Sequence, residues 1–311
     1  MTELLPRPIP DEFASPSPVP DLLADPSLLV WEGRYYLYPT SDGSPEWDAT
    51  SFSVWSSDDL VSWTAGGEVL RLQEDVGWAA RHAWAPAALQ RDGRFYLYFT
   101  AESNIGVAVA DSPFGPFNDL GRPLVAHGDF AGRAIDPAVF VDGDRVFLYW
   151  GNGVAHGVQL YDDLMSFDPG AVVDFVPTDF REAAWVHRRG DVYYLSWSVD
   201  DTRSEDYHVR YATGPTPLGP WVDRGVLLQK RPEIGVFATG HHAVLQLPDS
   251  DEWVIAYHRW AIPSGDGYRR EIVFDRLVHL PGGLLQPVLP ARDSLSLPLT
   301  HHHRKASNVA S

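Results

Sequence analysis

The chain has 311 residues, 44% hydrophobic and 13% aromatic, and a formal net charge of −18 at pH 7. That length and apolar content suffice for one large all-β domain or two smaller ones, and the negative charge speaks against nucleic acid and anionic membranes as partners. Cysteine is absent, so disulfide and thiolate chemistry are excluded.

Pro6, Pro8, Pro10, Pro16, Pro18 and Pro20 mark residues 1–20 as an extended arm. No long apolar stretch follows a basic start, so neither a signal peptide nor a membrane span is expected. A cytoplasmic location is the plain expectation, although a chain trimmed of a leader would read the same.

A phrase then recurs. It runs Asp25-Pro26-Ser27-Leu28-Leu29-Val30-Trp31, a turn at Glu32-Gly33, and Arg34-Tyr35-Tyr36-Leu37-Tyr38. Further copies start at Ala85, Asp136, Glu182 and His241, at spacings of 60, 51, 46 and 59 residues. Each is an apolar run, a Gly- or Asp-containing turn and an aromatic-aliphatic run, the pattern of a β-hairpin. An outer half recurs as well, at Phe52–Trp63, Val107–Phe117, Val158–Leu164 and Val209–Trp221. No segment keeps a helical apolar period, so helix content should be low.

About four strands per unit, repeated five times, predict an all-β, five-bladed β-propeller around a central channel, over residues 21–290. The last blade should finish near Arg270–Leu289, closed by pairing with the N-terminal segment. Residues 291–311 read as a polar tail. Its His301, His302 and His303 could bind metal, but a solvated run is the simpler account.

In such a fold the first strands run the same way and start at one mouth of the channel. Asp25, Ala85, Asp136, Glu182 and His241 should meet there. Breaking a glycosidic bond needs a proton donor and a second carboxylate across the sugar. A single Asp-Pro is more often a turn former; three carboxylates in equivalent slots point to chemistry instead.

The ordered set Ala24-Asp25-Pro26, Trp84-Ala85-Pro86, Ile135-Asp136-Pro137, Glu182-Ala183-Ala184-Trp185 and Gly240-His241-His242-Ala243 resembles glycoside hydrolase family 43. Ser57–Trp63 and Tyr257-His258-Arg259 add to the likeness. The resemblance implies an inverting glycosidase acting on arabinose- or xylose-containing oligosaccharides. It implies Asp25 as general base, Glu182 as general acid and Asp136 as the carboxylate that raises the acid's pKa. It implies that Arg270 binds sugar, with Arg269 the alternative register, and that His241 meets substrate or a structural calcium in the channel. Calcium wants six to eight oxygens, so water would have to supply most of them. No cofactor is implied for the chemistry. Trp84 is either a wall of the pocket or core. Ala87 stands where the family often has an acidic residue, which would alter a rim contact.

The expected activity is exo-acting α-L-arabinofuranosidase, with β-D-xylosidase or endo-arabinanase as alternatives. A lectin would repeat its site in every blade, and here the slots differ. A WD-type interaction propeller would repeat Trp-Asp, which occurs once, at Trp47-Asp48.

Overall fold

The structure is a computed structural model that describes residues 17–44 and 46–294. Most of the expected arm, and the tail from residue 295 with its three histidines, lie outside the described residues.

Five antiparallel sheets follow one another along the chain. Blade 1 holds β1 (Leu23–Trp31), β2 (Arg34–Ser41), β3 (Ser51–Ser57) and β4 (Thr64–Arg71). Blade 2 holds β5 (Trp84–Arg91), β6 (Arg94–Ala101), β7 (Asn104–Ala110) and β8 (Asn118–Asp119). Blade 3 holds β9 (Ala138–Asp142), β10 (Arg145–Trp150), β11 (Ala155–Gln159) and β12 (Val173–Phe175). Blade 4 holds β13 (Glu182–Arg189), β14 (Val192–Val199), β15 (His208–Gly214) and β16 (Val222–Leu228). Blade 5 holds β17 (Gly240–Gln246), β18 (Trp253–Trp260) and β19 (Arg270–Leu277). The inner strands form a ring: β1 lies beside β5 and β17, β13 beside β9 and β17, and β5 beside β9. This is the five-bladed propeller expected.

The second strand of each blade explains the aromatic runs. Successive side chains of a strand point to opposite faces. In β2, Tyr36 and Tyr38 enter the core between blades 1 and 2, while Tyr35 and Leu37 enter the core between blades 1 and 5. In β6, Phe95, Leu97 and Phe99 face blade 1, while Tyr96 and Tyr98 face blade 3. A sheet buried on both faces needs an unbroken apolar run rather than alternation. Three buried tyrosine hydroxyls then tie blade 1 to 2, 2 to 3 and 3 to 4. Tyr38 donates to the Pro113 carbonyl at 2.6 Å, Tyr98 to Leu164 at 2.7 Å and Tyr149 to Pro217 at 2.7 Å.

Blade 5 differs. Among the described residues it has three strands, because the chain after β19 turns away. Val288 bridges to Leu228 at the outer edge of blade 4. The ring is closed by packing and isolated bonds. Trp63 stacks on Phe274 at 5.6 Å, Val19 is buried in the same core, and the Ser17 hydroxyl donates to the Ile272 carbonyl at 2.6 Å. Ala87, expected at the rim, is instead buried between blades 2 and 3. An acidic residue there would be desolvated without a partner.

Candidate active site

One local device presents the site residues. At the head of each inner strand a residue other than glycine adopts a left-handed backbone: Asp25 (φ 51°), Ala85 (42°), Asp136 (58°), Ala183 (58°) and His241 (43°). Such residues are uncommon and costly. The surroundings hold them there. The Ala85 N–H donates to Thr40 Oγ1 at 2.7 Å, the Asp136 N–H to Thr100 Oγ1 at 3.0 Å, and the His241 N–H to Ser198 Oγ at 2.9 Å. In each case the hydroxyl comes from the second strand of the preceding blade. Before blade 4 that place falls to Gly151, whose Cβ would lie 2.0 Å from the Val154 carbonyl. With no hydroxyl available, the Ala183 N–H bonds the Asp136 carboxylate instead.

The fourth slot is therefore Ala183, and Glu182 precedes it by one residue. The expectation that Glu182 shares the slot of Asp25 and Asp136 is corrected by the left-handed turn at Ala183 and the strand irregularity between Glu182 and Trp185. Glu182 still reaches the same pocket, because its longer side chain spans the offset.

That pocket encloses about 130 Å³ and opens to solvent. Asp25, Asp136, Glu182, His241, Arg270 and Trp84 all line it. Trp84 is thus a wall and not core, and its indole N–H donates to the Trp47 carbonyl at 2.6 Å. Arg270 occupies the site, and Arg269 pairs with Asp266 near the surface, which resolves the register.

Asp25 is buried and contacted through one oxygen. His258 Nδ1 lies 3.0 Å from Oδ1, His241 Nδ1 3.2 Å and Arg270 3.4 Å. Burial pushes its pKa up, but His241, Arg270 and His258 together outweigh burial and hold the carboxyl well below its ordinary range. His258 Nδ1 also accepts from the Asp25 backbone N–H at 3.4 Å, and Nε2 lies 3.1 Å from Thr202 Oγ1. Burial and the Arg270 charge lower His258 to about 3, so it is neutral. Arg270 is fixed in turn by Asp42, at 2.8 Å from Nε and 3.2 Å from a terminal nitrogen.

Glu182 accepts from Asn152 at 2.8 Å and from the Tyr207 hydroxyl at 3.0 Å. Both donors are neutral. Burial, then the charges of Glu182 and Asp25, push Asp136 well above the ordinary carboxyl range.

Asp136, Glu182 and His241 each offer a ligating atom, all within 4.8 Å of one another. Calcium takes six to eight oxygens, and a cation on Glu182 would hold it ionised. This trio does not fit a calcium ion and a proton donor together. Below the pocket the channel narrows to about 10 Å³ between Pro26, Pro86, Pro137, Ala184 and His242, the size of one water.

Sequence reasoning missed Trp47, Arg133, Arg181, Asp201, Thr202 and Arg203, which complete the lining. Most sit on loops whose course the repeat does not specify. His258 stood within a noted motif but carried no assigned role.

The family model for glycosyl hydrolases family 43 matches residues 16–284. The chain belongs to that family. It is a glycoside hydrolase. It is 32% identical to a β-D-galactofuranosidase of Aspergillus niger, covering 83% of this chain and 80% of that one. It is 29% identical to a xylosidase/arabinosidase of Bacteroides ovatus, over 79% and 88% of the two chains. Among solved structures it is similar to CoXyl43, a family 43 β-xylosidase/α-arabinofuranosidase from a compost microbial metagenome, in a calcium-free complex with xylotriose. That likeness has a TM-score of 0.76 at 29% identity and covers 90% and 98% of the chains. It is also similar to an α-L-arabinofuranosidase of Clostridium thermocellum, with TM-score 0.73, 30% identity and coverage of 88% and 96%.

Proposed function

We propose that this glycosidase releases terminal α-L-arabinofuranosyl units from plant-cell-wall oligosaccharides with inversion at the anomeric carbon. The observation that carries the reading is the pairing of two unlike carboxyl groups in one pocket. Asp25 meets a guanidinium and two imidazoles within 3.4 Å, whereas Glu182 takes its hydrogen bonds from a neutral amide and a phenol, with the Arg181 guanidinium farther off at 3.7 Å.

In this reading Asp25 is the base. Its Oδ1 is occupied, which leaves Oδ2 to take a proton from water as the water oxygen bonds the anomeric carbon. Glu182 gives its proton to the leaving oxygen as the glycosidic bond breaks. Asp136 is the carboxyl group that flanks Glu182 in the pocket. Arg270 and His241 bind hydroxyls of the innermost sugar, and Trp84 with Trp47 forms the wall against its ring. No step is assigned to calcium; treatment with a chelator should leave the stereochemical course unchanged.

A pocket narrowed by Trp47, Trp84 and the Asp201–Arg203 loop favours a terminal sugar over a chain interior. β-D-Xylosidase is the second reading, supported by the paired names of the relatives. The test compares 4-nitrophenyl α-L-arabinofuranoside, β-D-xyloside and β-D-galactofuranoside, with proton NMR of the first-formed anomer. The arabinofuranoside should have the highest kcat/KM and yield the inverted anomer first. Preference for the xyloside, or retention, would overturn the reading.

A further inference from the structure

Four of the residues lining the pocket are arginines, in a chain where acids outnumber Lys and Arg by 42 to 24. Three of the four have carboxylate partners. Arg270 is clamped by Asp42 and Asp25. Arg181 pairs with Asp201 at 3.0 Å, and Arg203 pairs with the same carboxylate at 2.7 Å.

Arg133 is different. It is exposed, and one guanidinium nitrogen donates to Ser103 Oγ at 3.1 Å. The guanidinium carbon stands 5.9 Å from the centre of the Trp84 ring. Among the described residues no carboxylate lies within ion-pair distance of it. A neutral hydroxyl and an aromatic face position this cation; its charge acts at longer range on the Asp136 carboxyl and is tied up in no direct ion pair among the described residues.

Its place in the ring gives the direction. Asn152 donates its amide to Glu182 and accepts from the Arg133 backbone N–H through its carbonyl, at 3.3 Å. Arg133 thus stands at the rim between the Trp84 wall and the proton donor. Asp25 and Arg270 lie across the pocket, on blades 1 and 5. With Glu182 as the proton donor, the leaving group lies on the Glu182 side of the pocket, which Asn152 joins to Arg133.

We infer that Arg133 forms a leaving-group subsite for a carboxylate, so that the preferred substrates carry a hexuronic acid residue next to the released sugar. The inference rests on Glu182 as the proton donor. A guanidinium beside an aromatic face suits a uronic acid, because the ring can stack while the fork takes the carboxylate. The same chemistry is offered by glucuronate on xylan-type chains and by galacturonate in pectin-type chains.

The experiment uses arabinofuranosyl oligosaccharides whose leaving group carries glucuronic acid or galacturonic acid, each beside its methyl ester. The ester keeps the shape and removes the charge. Within one enzyme, the kcat/KM ratio of acid to ester cancels any general loss of activity. At low salt the ratio should be about three to ten for at least one uronate, the size a partly exposed ion pair supports. It should fall toward one at about 0.5 M salt, where such pairs are screened. Arg133→Gln should bring the ratio to about one, Arg133→Glu should take it below one, and Arg133→Lys should retain part of it. Whichever uronate shows the ratio identifies the source. A ratio near one for both uronates in the wild type, or a raised ratio that survives Arg133→Gln, would overturn the inference. Absence of arabinoside turnover would count against the proposed function instead. In that case calorimetric affinities of acid and ester for the Glu182→Gln protein decide the matter, and equal affinities would overturn the inference.

Discussion

Asp25 and Glu182 have the same functional group and unequal surroundings. One meets a guanidinium and two imidazoles within 3.4 Å, the other an amide and a phenol, with a guanidinium only at 3.7 Å. Asp25→Asn and Glu182→Gln should each lower kcat about 10²- to 10⁴-fold while circular dichroism and melting stay near wild type. Azide should rescue neither with retention. Asp136 offers a sharper test, because its carboxyl is pushed up by burial and by the Glu182 charge. Asp136→Asn removes that titrating carboxyl, so the shape of the kcat/KM profile against pH should change and kcat should fall. A profile of unchanged shape would leave Asp136 with a structural role. Asp25, Asp136, Trp84 and His241 were legible because they sit in a repeat with strong turn chemistry. Arg133 and Trp47 were not, since nothing in a loop's composition says which way it folds back.

At the scale of the element, the five left-handed turns are the working part. Each costs backbone strain, and each is held by a hydrogen bond from the neighbouring blade. Thr100→Val keeps the shape and deletes the acceptor for the Asp136 N–H, leaving that buried donor unpaired. Stability should fall by about 1–3 kcal/mol in urea unfolding. kcat should fall as well, since Asp136 is no longer anchored. An unchanged kcat at reduced stability would separate the turn from the chemistry. The sequence showed where these turns begin but misread one register. Asp-Pro announces the slot in blades 1 and 3, whereas Ala183-Ala184 announces nothing. Glu182 was therefore taken for the slot residue. The missing hydroxyl at Gly151 gives the Ala183 N–H to Asp136; the glycine stands where the aligned second strands carry Thr40, Thr100 and Ser198, but the role of that hydroxyl shows only in the fold. Among the described residues blade 5 shows three strands, and most of the N-terminal segment expected to complete it lies outside them.

For the whole molecule, five inter-blade cores lie around a polar axis, and the buried histidines near that axis link stability to pH. Burial, followed by the His241 charge, lowers His242 to about 3; His258 is likewise held at about 3. An unfolded histidine titrates near 6.5. Between those values the unfolded chain binds protons that the folded chain does not, so stability rises with pH. It should be fully present above about pH 6.5 and drain as pH falls toward 3. Urea unfolding at pH 7, 6 and 5 should give a declining free energy, with a shallower slope in His242→Gln. A slope as steep as wild type would remove His242 from the account.

Ser17 and Ser294 bond the same strand two residues apart: Ser17 Oγ donates to the Ile272 carbonyl, and the Phe274 N–H donates to Ser294 Oγ at 2.9 Å. The two ends of the described chain therefore meet on β19, and the ring has no backbone seam elsewhere that depends on which residue comes first. Cyclic order, not linear order, specifies the architecture. A circular permutant that joins residue 294 to residue 17 through a short Gly/Ser bridge, and opens the chain at the exposed Asp249–Ser250 turn, should keep its hydrolytic rate within a few-fold. A permutant that expresses as soluble protein but has lost turnover would show that residues outside 17–294 contribute to the site.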